Sequence, residues 1–344
     1  MSRRPVLSVL VFRALDLGDM LCAVPAFRAL KHACPAASIT LCGLPWAREF
    51  AARYWHLFDD FIEFPGYPGL PEQQFQADRF AEFLASVRAR EFDVAVQMHG
   101  DGGITNGLVE QFGALAVLRP PQLATQDGTH EIERCLLPLE AAGISRCGTH
   151  LELPTTVEER AEASRLLAQY GIDCGRPYAV VHPGAKWESR RWPAEKFGAV
   201  ARQLAAEGLQ VAITGVEAER GIAGEVRRVA GVRIHDLCGA TRAGAVFAVI
   251  ARASVVITND TGASHVAAAV GTPSVVIASG SEIERWRPLD AERHVVLGLD
   301  APCRPCRLQV CPHGHACVAI GPESVARLGL ELTRRGRADL GQER

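Results

Sequence analysis

Residues 255–273, VVITNDTGASHVAAAVGTP, decide the fold class. Their run of β-branched apolar residues is typical of a strand that is buried on both faces. The run stops at Asn259-Asp260-Thr261-Gly262, and small residues with helical spacing follow before a second apolar run, SVVIAS, begins at Ser274. A strand, a tight turn, a helix and another strand in this order predict a parallel βαβ unit.

The same alternation of apolar runs and amphipathic stretches continues through nearly the whole chain. VLSVLVF and FDVAVQM are such runs in the first half, and YAVVHPG and QVAITG are examples in the second. With 344 residues, of which 48% are hydrophobic, the chain is long enough for two cores. We therefore predict an α/β protein in which two Rossmann-like, doubly wound domains face a central cleft, where ligands bind in such sheets.

A polar stretch near the middle of the chain separates the two halves. We place the first domain at residues 1–155, a linker helix region at 156–176 and the second domain at 177–321. A C-terminal helix is predicted over 322–344, and packing against the first domain is one option for it.

Composition and charge exclude several classes of protein. The formal net charge is −2, whereas a nucleic-acid-binding protein normally carries a basic excess or stripe. No apolar stretch is long enough to span a bilayer, and the N-terminal apolar run lacks the features of a signal peptide. We expect a cytoplasmic protein, with peripheral contact at the inner face of the inner membrane left open.

The turn after the run at 255–258 has the features of a phosphate-binding site. Gly262 allows close approach of the backbone, and the following helix offers unpaired N–H groups and the positive end of its dipole. Asp260, Thr261 and His265 complete the candidate donor-binding turn. The alternative is an ordinary capped helix that carries a buried histidine.

A second candidate segment, VVHPGAKWESRRWPAEKF, spans residues 181–198. Its apolar run ends at Gly184, and cations at 186, 190 and 191 follow, a grouping that suits a diphosphate. A solvated basic loop is the alternative. The donor-binding residues predicted here are Gly184, Lys186 and Arg190, and Arg191 is predicted as a catalytic residue that stabilises the departing diphosphate. Glu217, in VAITGVEAER, is predicted to bond ribose hydroxyls, as Glu219 could, although glutamate also favours the first turn of a helix.

The first half carries a third candidate segment, RALDLGDMLCAVPAFRALK. Gly18 and Asp19 follow the first predicted strand and open its helix, so the Asp19 carboxylate could take a proton from a hydroxyl nucleophile. We predict Asp19 as the catalytic base and Arg13 and Gly18 as acceptor-binding residues. The alternative for Asp19 is a helix N-cap.

Three motifs in this order, DLGDMLCAVPAFRALKHACPAASI, HPGA…RRWPAEKF and NDTGASHVAAAVGTPSV, resemble those of glycosyltransferase family 9, the ADP-heptose heptosyltransferase family. The resemblance implies a glycosyltransferase-B fold, an acceptor-binding first domain and a second domain that binds the nucleotide-sugar diphosphate. The resemblance implies that Asp19 is the catalytic base. It also implies that Arg191, at a position where the family usually has lysine, binds the diphosphate. Asp260, Thr261, Gly262 and His265 match the family's nucleotide-binding turn. The chain departs from the family at Ser279, because family members usually have an aromatic residue before the glycine that is Gly280 here.

Four cysteines crowd between residues 303 and 317, with His313 and His315 among them. Such density in a cytosolic chain indicates a metal site more readily than disulfides. We predict a structural zinc or iron held by Cys303, Cys306, Cys311 and Cys317, one of which a histidine could replace. The family that the chain resembles includes a branch that holds iron through four cysteines at wider spacing, which favours a metal here. The alternative is reduced, unliganded cysteine, and transfer itself would need no cofactor.

The predicted function is an inverting glycosyl transfer, most simply of heptose from ADP-heptose to a hydroxyl of a lipopolysaccharide-core-like glycan or glycolipid. The sequence leaves another glycan or a protein open as the acceptor. Charge that grows on the departing diphosphate would be stabilised by Arg191, Lys186 and the helix N-terminus at Thr261-Gly262. Two alternatives stay open. One is a nucleotide-sugar epimerase of the same fold, and the other is a non-catalytic nucleotide-sugar-binding subunit.

Overall fold

The computed structural model describes residues 8–120, 128–306 and 308–342, with side chains up to residue 336. The chain divides into two compact units, Met1–His150 and Leu151–Arg344. The predicted first domain ended at 155, and the division falls just before that point. The described residues contain no helix that is both long and apolar enough to cross a membrane.

The described part of the first unit forms a five-stranded parallel sheet with the strand order β3-β2-β1-β4-β5. Its apolar strands are largely buried, as a sheet that is covered by helices requires. Its elements are β1 Ser8–Phe12, α1 Leu17–Ala33, β2 Ser38–Gly43, α2 Ala47–Arg53, β3 Asp60–Glu63, α3 Ala77–Arg88, β4 Val94–Gln97, α4 Thr105–Glu110, β5 Ala116–Leu118 and α5 Glu131–Ala141.

The described part of the second unit forms a six-stranded parallel sheet with the order β11-β10-β9-β6-β7-β8. Its elements are α6 Val157–Gln169, β6 Tyr178–His182, α7 Ala194–Ala206, β7 Gln210–Ile213, α8 Arg220–Ala230, β8 His235–Asp236, α9 Ala243–Ala251, β9 Val255–Asn259, α10 Gly262–Ala269, β10 Ser274–Ile277, α11 Ile283–Trp286, β11 His294–Leu297 and α12 Pro322–Gln342. The predicted α/β class with two Rossmann-like sheets is confirmed.

Two helices show which unit the linker and the C-terminus join. A capping box begins α6: the Thr156 hydroxyl accepts from the Glu159 N–H, and the Glu159 carboxylate accepts from the Thr156 N–H. This helix packs on α9, so the predicted linker region is part of the second unit. The last helix, α12, packs on α7, β9 and β10, and its Val325 and Leu332 enter the core of the second unit.

Each sheet has a point at which the strand order reverses. In the first unit the reversal lies between β1 and β4, and in the second it lies between β6 and β9. Ligands of open parallel sheets bind outside the carboxyl ends of the strands at such a point. The loops after these four strands are therefore the places to look for function.

Candidate active site

Asn259 joins the two loops that flank the reversal point of the second sheet. β6 and β9 are neighbours, with Val181 opposite Ile257 in the register. The Asn259 side chain is buried at the end of β9, and its Nδ2 donates to the carbonyl oxygens of Pro183 at 2.8 Å and Gly184 at 3.3 Å. The loop after β6 and the turn after β9 are thus held against each other.

Asn259 also fixes the end of the basic loop, residues 186–191. Its Oδ1 accepts the backbone N–H of Trp192 at 2.9 Å. Trp192 is buried in the core of the second unit, and its indole N–H donates to the Val318 carbonyl at 3.2 Å. Because donor and acceptor groups of one buried amide are all used, both ends of the loop after β6 and the turn after β9 depend on this side chain for their positions.

The basic loop brings Arg190 close to the turn after β9. A 3-10 helix forms over Glu188–Arg190, and the Arg191 Nε donates to the Ala185 carbonyl at 2.9 Å. Burial lowers the pKa of Arg190, while the charge of Asp260 opposes that shift. Lys186 is exposed on the same loop. The predicted diphosphate residues therefore share the loop after β6, and Arg190 interacts with Asp260 of the turn after β9.

The turn Asp260–Gly262 leads directly into α10. The backbone N–H of Asp260 donates to the Ile277 carbonyl at 3.0 Å, which fixes the turn to β10. In the described structure Thr261 makes no side-chain cap, so its hydroxyl is not committed to the first N–H groups of the helix. Apart from the neighbouring residues and the backbone of its own helix, no described atom lies within 4 Å of the point where a side chain at Gly262 would begin. The space in front of this helix N-terminus is open to a ligand.

His265 lies on the first turn of α10 and is buried. Its ring meets Trp286 edge to face, with 6.2 Å between the ring centroids. His265 is thus buried, as the alternative of an ordinary capped helix predicted, and it lies next to a turn that has room for a phosphate.

The two glutamates of the loop after β7 occupy different places. Glu217 is exposed, pairs with Arg220 at 2.5 Å and lies against Gly239. Glu219 instead lies so close to Gly184 that any side chain at position 184 would collide with its carboxylate. Glu219 also favours the charged form of His182, whose pKa is lowered by burial. Of the two candidates, Glu219 is the one beside the loop after β6.

In the first unit, Asp19 lies on the first turn of α1 and is half-buried. Its backbone carbonyl accepts from Arg13, at 3.0 Å from Nε and 2.8 Å from Nη2. The same guanidinium donates to the Met98 carbonyl and, at 2.8 Å, to the Glu131 carboxylate. Arg13 and Glu131 are both buried. The prediction that Arg13 contacts an acceptor is not supported, because its guanidinium is enclosed and holds the Asp19 backbone.

His99 is a residue that the sequence analysis missed. It follows β4, stacks on Phe12 with 5.2 Å between ring centroids, and accepts the Ala14 N–H at Nδ1. Burial, assisted by the Arg13 charge, lowers the pKa of His99 to about 3. The imidazole is therefore neutral, carries its proton on Nε2 and ties together the loops after β1 and β4. The sequence MHGDGG at the end of an apolar run was the available signal.

The four clustered cysteines do not form the predicted metal site. Among the described residues, no three histidine, cysteine, aspartate or glutamate side chains are arranged to hold an ion. Burial raises the pKa of Cys317, and the neighbouring Cys303 and Cys311 add to that shift. The Cys306 sulfur instead accepts the Leu308 N–H at 3.4 Å, and its Cβ packs against Gly280. The described residues therefore do not bring the four thiols together as the predicted tetrathiolate.

Comparison with known proteins identifies the family. Residues 107–317 match the model of glycosyltransferase family 9 (heptosyltransferase). The chain belongs to this family. It is a glycosyltransferase, as the sequence analysis predicted.

The family 9 chain is similar to lipopolysaccharide heptosyltransferase 2 of Escherichia coli K12, with 23% identity over 84% of this chain and 88% of that protein. A glycosyltransferase family 9 structure from Veillonella parvula aligns with a TM-score of 0.81 at 20% identity and covers 97% of this chain and 99% of that one. The E. coli ADP-heptose lipopolysaccharide heptosyltransferase II structure aligns at 0.73 with 21% identity, covering 96% and 100%. At such identities the structures show the shared glycosyltransferase-B fold.

Proposed function

We propose that this family 9 enzyme transfers heptose from ADP-heptose to a hydroxyl of a lipopolysaccharide-core acceptor, with inversion at the anomeric carbon. One observation carries the proposal: Asn259 holds a cationic loop and an open helix N-terminus together at the reversal point of the second sheet. Cations and a helix N-terminus at one place suit a diphosphate. The similar E. coli protein is named as a lipopolysaccharide heptosyltransferase, which supports heptose as the sugar.

In this proposal the donor binds to the second unit. Arg190, Arg191 and Lys186 neutralise the diphosphate, and the N–H groups at Thr261-Gly262 bond its oxygens. Glu219 is the better placed of the two glutamates for the ribose hydroxyls, because it lies beside Gly184. His265 lies one turn of α10 behind these N–H groups, where its ring contacts Trp286.

The acceptor would bind to the first unit near Gly18. Asp19 takes the proton from the acceptor hydroxyl as its oxygen forms a bond to the anomeric carbon. The bond from that carbon to the diphosphate breaks, and ADP leaves with the bonding electrons. The arginines and the helix N-terminus stabilise the charge that develops on ADP, and this stabilisation is the largest contribution expected at such a site. If the acceptor is a glycolipid, the enzyme would meet it at the cytoplasmic face of the inner membrane.

Transfer can be tested with purified protein, ADP-heptose and a lipopolysaccharide core that lacks the terminal heptose. We expect release of ADP and a gain of one heptose on the core by mass spectrometry, with the anomeric configuration inverted by NMR. ADP-glucose and UDP-N-acetylglucosamine serve as donor controls. Conversion of the nucleotide sugar without an acceptor would favour the epimerase, and tight binding without turnover of any acceptor would favour a binding subunit.

A further inference from the structure

The cysteine-containing segment after β11 crosses the carboxyl ends of the second sheet. We call residues 303–306 and 308–309 the strap. The Cys306 N–H donates to the Gly280 carbonyl at 2.7 Å, and the Cys306 carbonyl accepts from Arg190 Nη2 at 2.8 Å. Gly280 follows β10, Arg190 follows β6, and β9 lies between these two strands. The strap therefore links the two sides of the turn that carries Asp260.

Arg304 anchors the strap at the β10 side. Its Nη2 donates to the carbonyls of Ala278 at 3.1 Å and Leu299 at 2.9 Å, and its Nη1 donates to the Ser281 carbonyl at 3.2 Å. The guanidinium is a rigid planar fork, so three carbonyls from two loops define its position. Hydrogen bonds from a charged group are stronger than those between neutral groups.

The other end of the strap is bonded to the basic loop. The Ser189 N–H donates to the Gln309 carbonyl at 2.9 Å, and the Ser189 hydroxyl donates to the Leu308 carbonyl. Ser189 is buried and directly precedes Arg190. The strap thus bonds two consecutive residues of the loop.

Arg190 lies between the strap and the candidate phosphate turn. Its guanidinium is 5.9 Å from the centroid of the Trp187 ring, and Asp260 is the charge that most favours its protonated form. A long, rotamer-rich side chain loses less entropy on binding an anion when its position is already fixed.

We infer that the strap is a positioning element of the donor site, and that Arg304, acting through Arg190, fixes a cation where the diphosphate binds. The inference rests on the proposed function. The strap contributes backbone groups and the Arg304 side chain to these contacts, so this role needs no metal on the thiols.

Calorimetry with two probes, ADP and adenosine, tests the role of Arg304. The Arg304→Met variant should bind ADP about tenfold more weakly, as expected for the loss of charged hydrogen bonds, with the affinity for adenosine unchanged. Arg327→Met is the matched control, because Arg327 is exposed and pairs with Glu331 on α12. Equal losses for ADP and adenosine would indicate general disruption and overturn the inference.

A double-mutant cycle tests whether Arg304 acts through Arg190. In an Arg190→Ala background, Arg304→Met should cause no further loss of ADP affinity, because the group that it positions is absent. Losses that add fully in the double variant would overturn the inference.

Gly280→Ala disturbs the strap without removing a charge and covers the case in which Arg304→Met does not fold. The added Cβ would lie 2.5 Å from the Cβ of Cys306, so the strap must move and ADP affinity should fall. Gly224→Ala, in α8 with no described atom within 4 Å, is its control. If wild type binds ADP and this variant binds it equally tightly, the inference is wrong and the proposed function stands. If wild type does not bind ADP, the donor assignment fails and the inference fails with it.

Discussion

The Asn259 side chain accepts the backbone N–H of Trp192 at 2.9 Å across 67 positions of sequence. The same amide donates to Pro183 and Gly184, so one buried residue determines the spacing of the loops in the candidate donor site. A buried amide cannot be removed without leaving its partners unsatisfied.

Replacing Asn259 should therefore affect both stability and donor affinity. Asn259→Ala should lower the free energy of unfolding by about 2–4 kcal/mol, since three backbone groups lose their partner. ADP affinity should fall with it, as measured by urea denaturation and calorimetry. Gln210→Ala is the control, because its amide bonds the exposed Asp173 and should cost little. An unchanged ADP affinity would show that the amide does not set the loop spacing.

Asp19→Asn tests the catalytic base. The variant keeps the shape of the side chain and the backbone contact to Arg13, but it cannot take a proton. We expect turnover to fall by roughly two to four orders of magnitude, with unchanged ADP affinity. Asp16→Asn is the matched control, because Asp16 is the exposed N-cap residue of the same helix. Near-normal turnover of Asp19→Asn would remove this carboxylate from the mechanism.

Gly262→Val and Arg191→Ala test the diphosphate site. The space beside Gly262 is empty of described atoms, so valine should not disturb the protein and should instead obstruct the phosphate. Arg191→Ala removes a charge-assisted bond, for which we expect about a tenfold weaker affinity for ADP. Gly221→Val, in α8 with open space around it, is the control for the bulk. Calorimetry that found ADP affinity intact in both variants would put the donor elsewhere.

We expect the buried Arg13–Glu131 ion pair to contribute far more to the free energy of unfolding than the exposed ion pair made by Glu133, which lies on the same helix as Glu131. Glu131→Gln leaves a buried guanidinium without its counter-charge, which should lower the free energy of unfolding by about 3–5 kcal/mol. Glu133→Gln breaks the exposed pair with Arg146 and should cost about 0–1 kcal/mol. Urea denaturation compares the two variants, and similar losses would contradict the buried role of Glu131.

His99 predicts how stability changes with pH. Its pKa of about 3 lies below the ordinary 6.5, so below pH 6.5 the unfolded chain binds a proton that the folded chain excludes. The stability that His99 contributes is complete above pH 6.5 and is lost as the pH falls towards 3. Between pH 6 and 4, His99→Gln should lose stability less steeply than wild type by about 1.4 kcal/mol per pH unit. His32→Gln, at an exposed position on α1, should match wild type.

The sequence predicted those features that local patterns encode. Strands buried on both faces leave continuous apolar runs, so both sheets could be predicted. The candidate residues at the ends of β6 and β9 could be proposed because each loop directly follows its run. Arg13 and Glu131 are 118 positions apart, and no local pattern reports that they pair. The cysteine spacing suggested a metal site. Spacing alone could not predict the backbone hydrogen bond that holds Cys306 against Gly280.

Because the strap lies after the donor residues in the sequence, donor binding depends on a segment that is synthesised later. Every donor residue in the proposed mechanism precedes position 266, yet Ser189, Arg190 and Trp192 find partners among residues 306–318. A nascent chain released at residue 302 would carry the full set of donor residues with the basic loop unsupported. The whole first unit precedes the strap, so in the proposed mechanism the ability to bind a nucleotide sugar appears only after residues 303–318 have been synthesised.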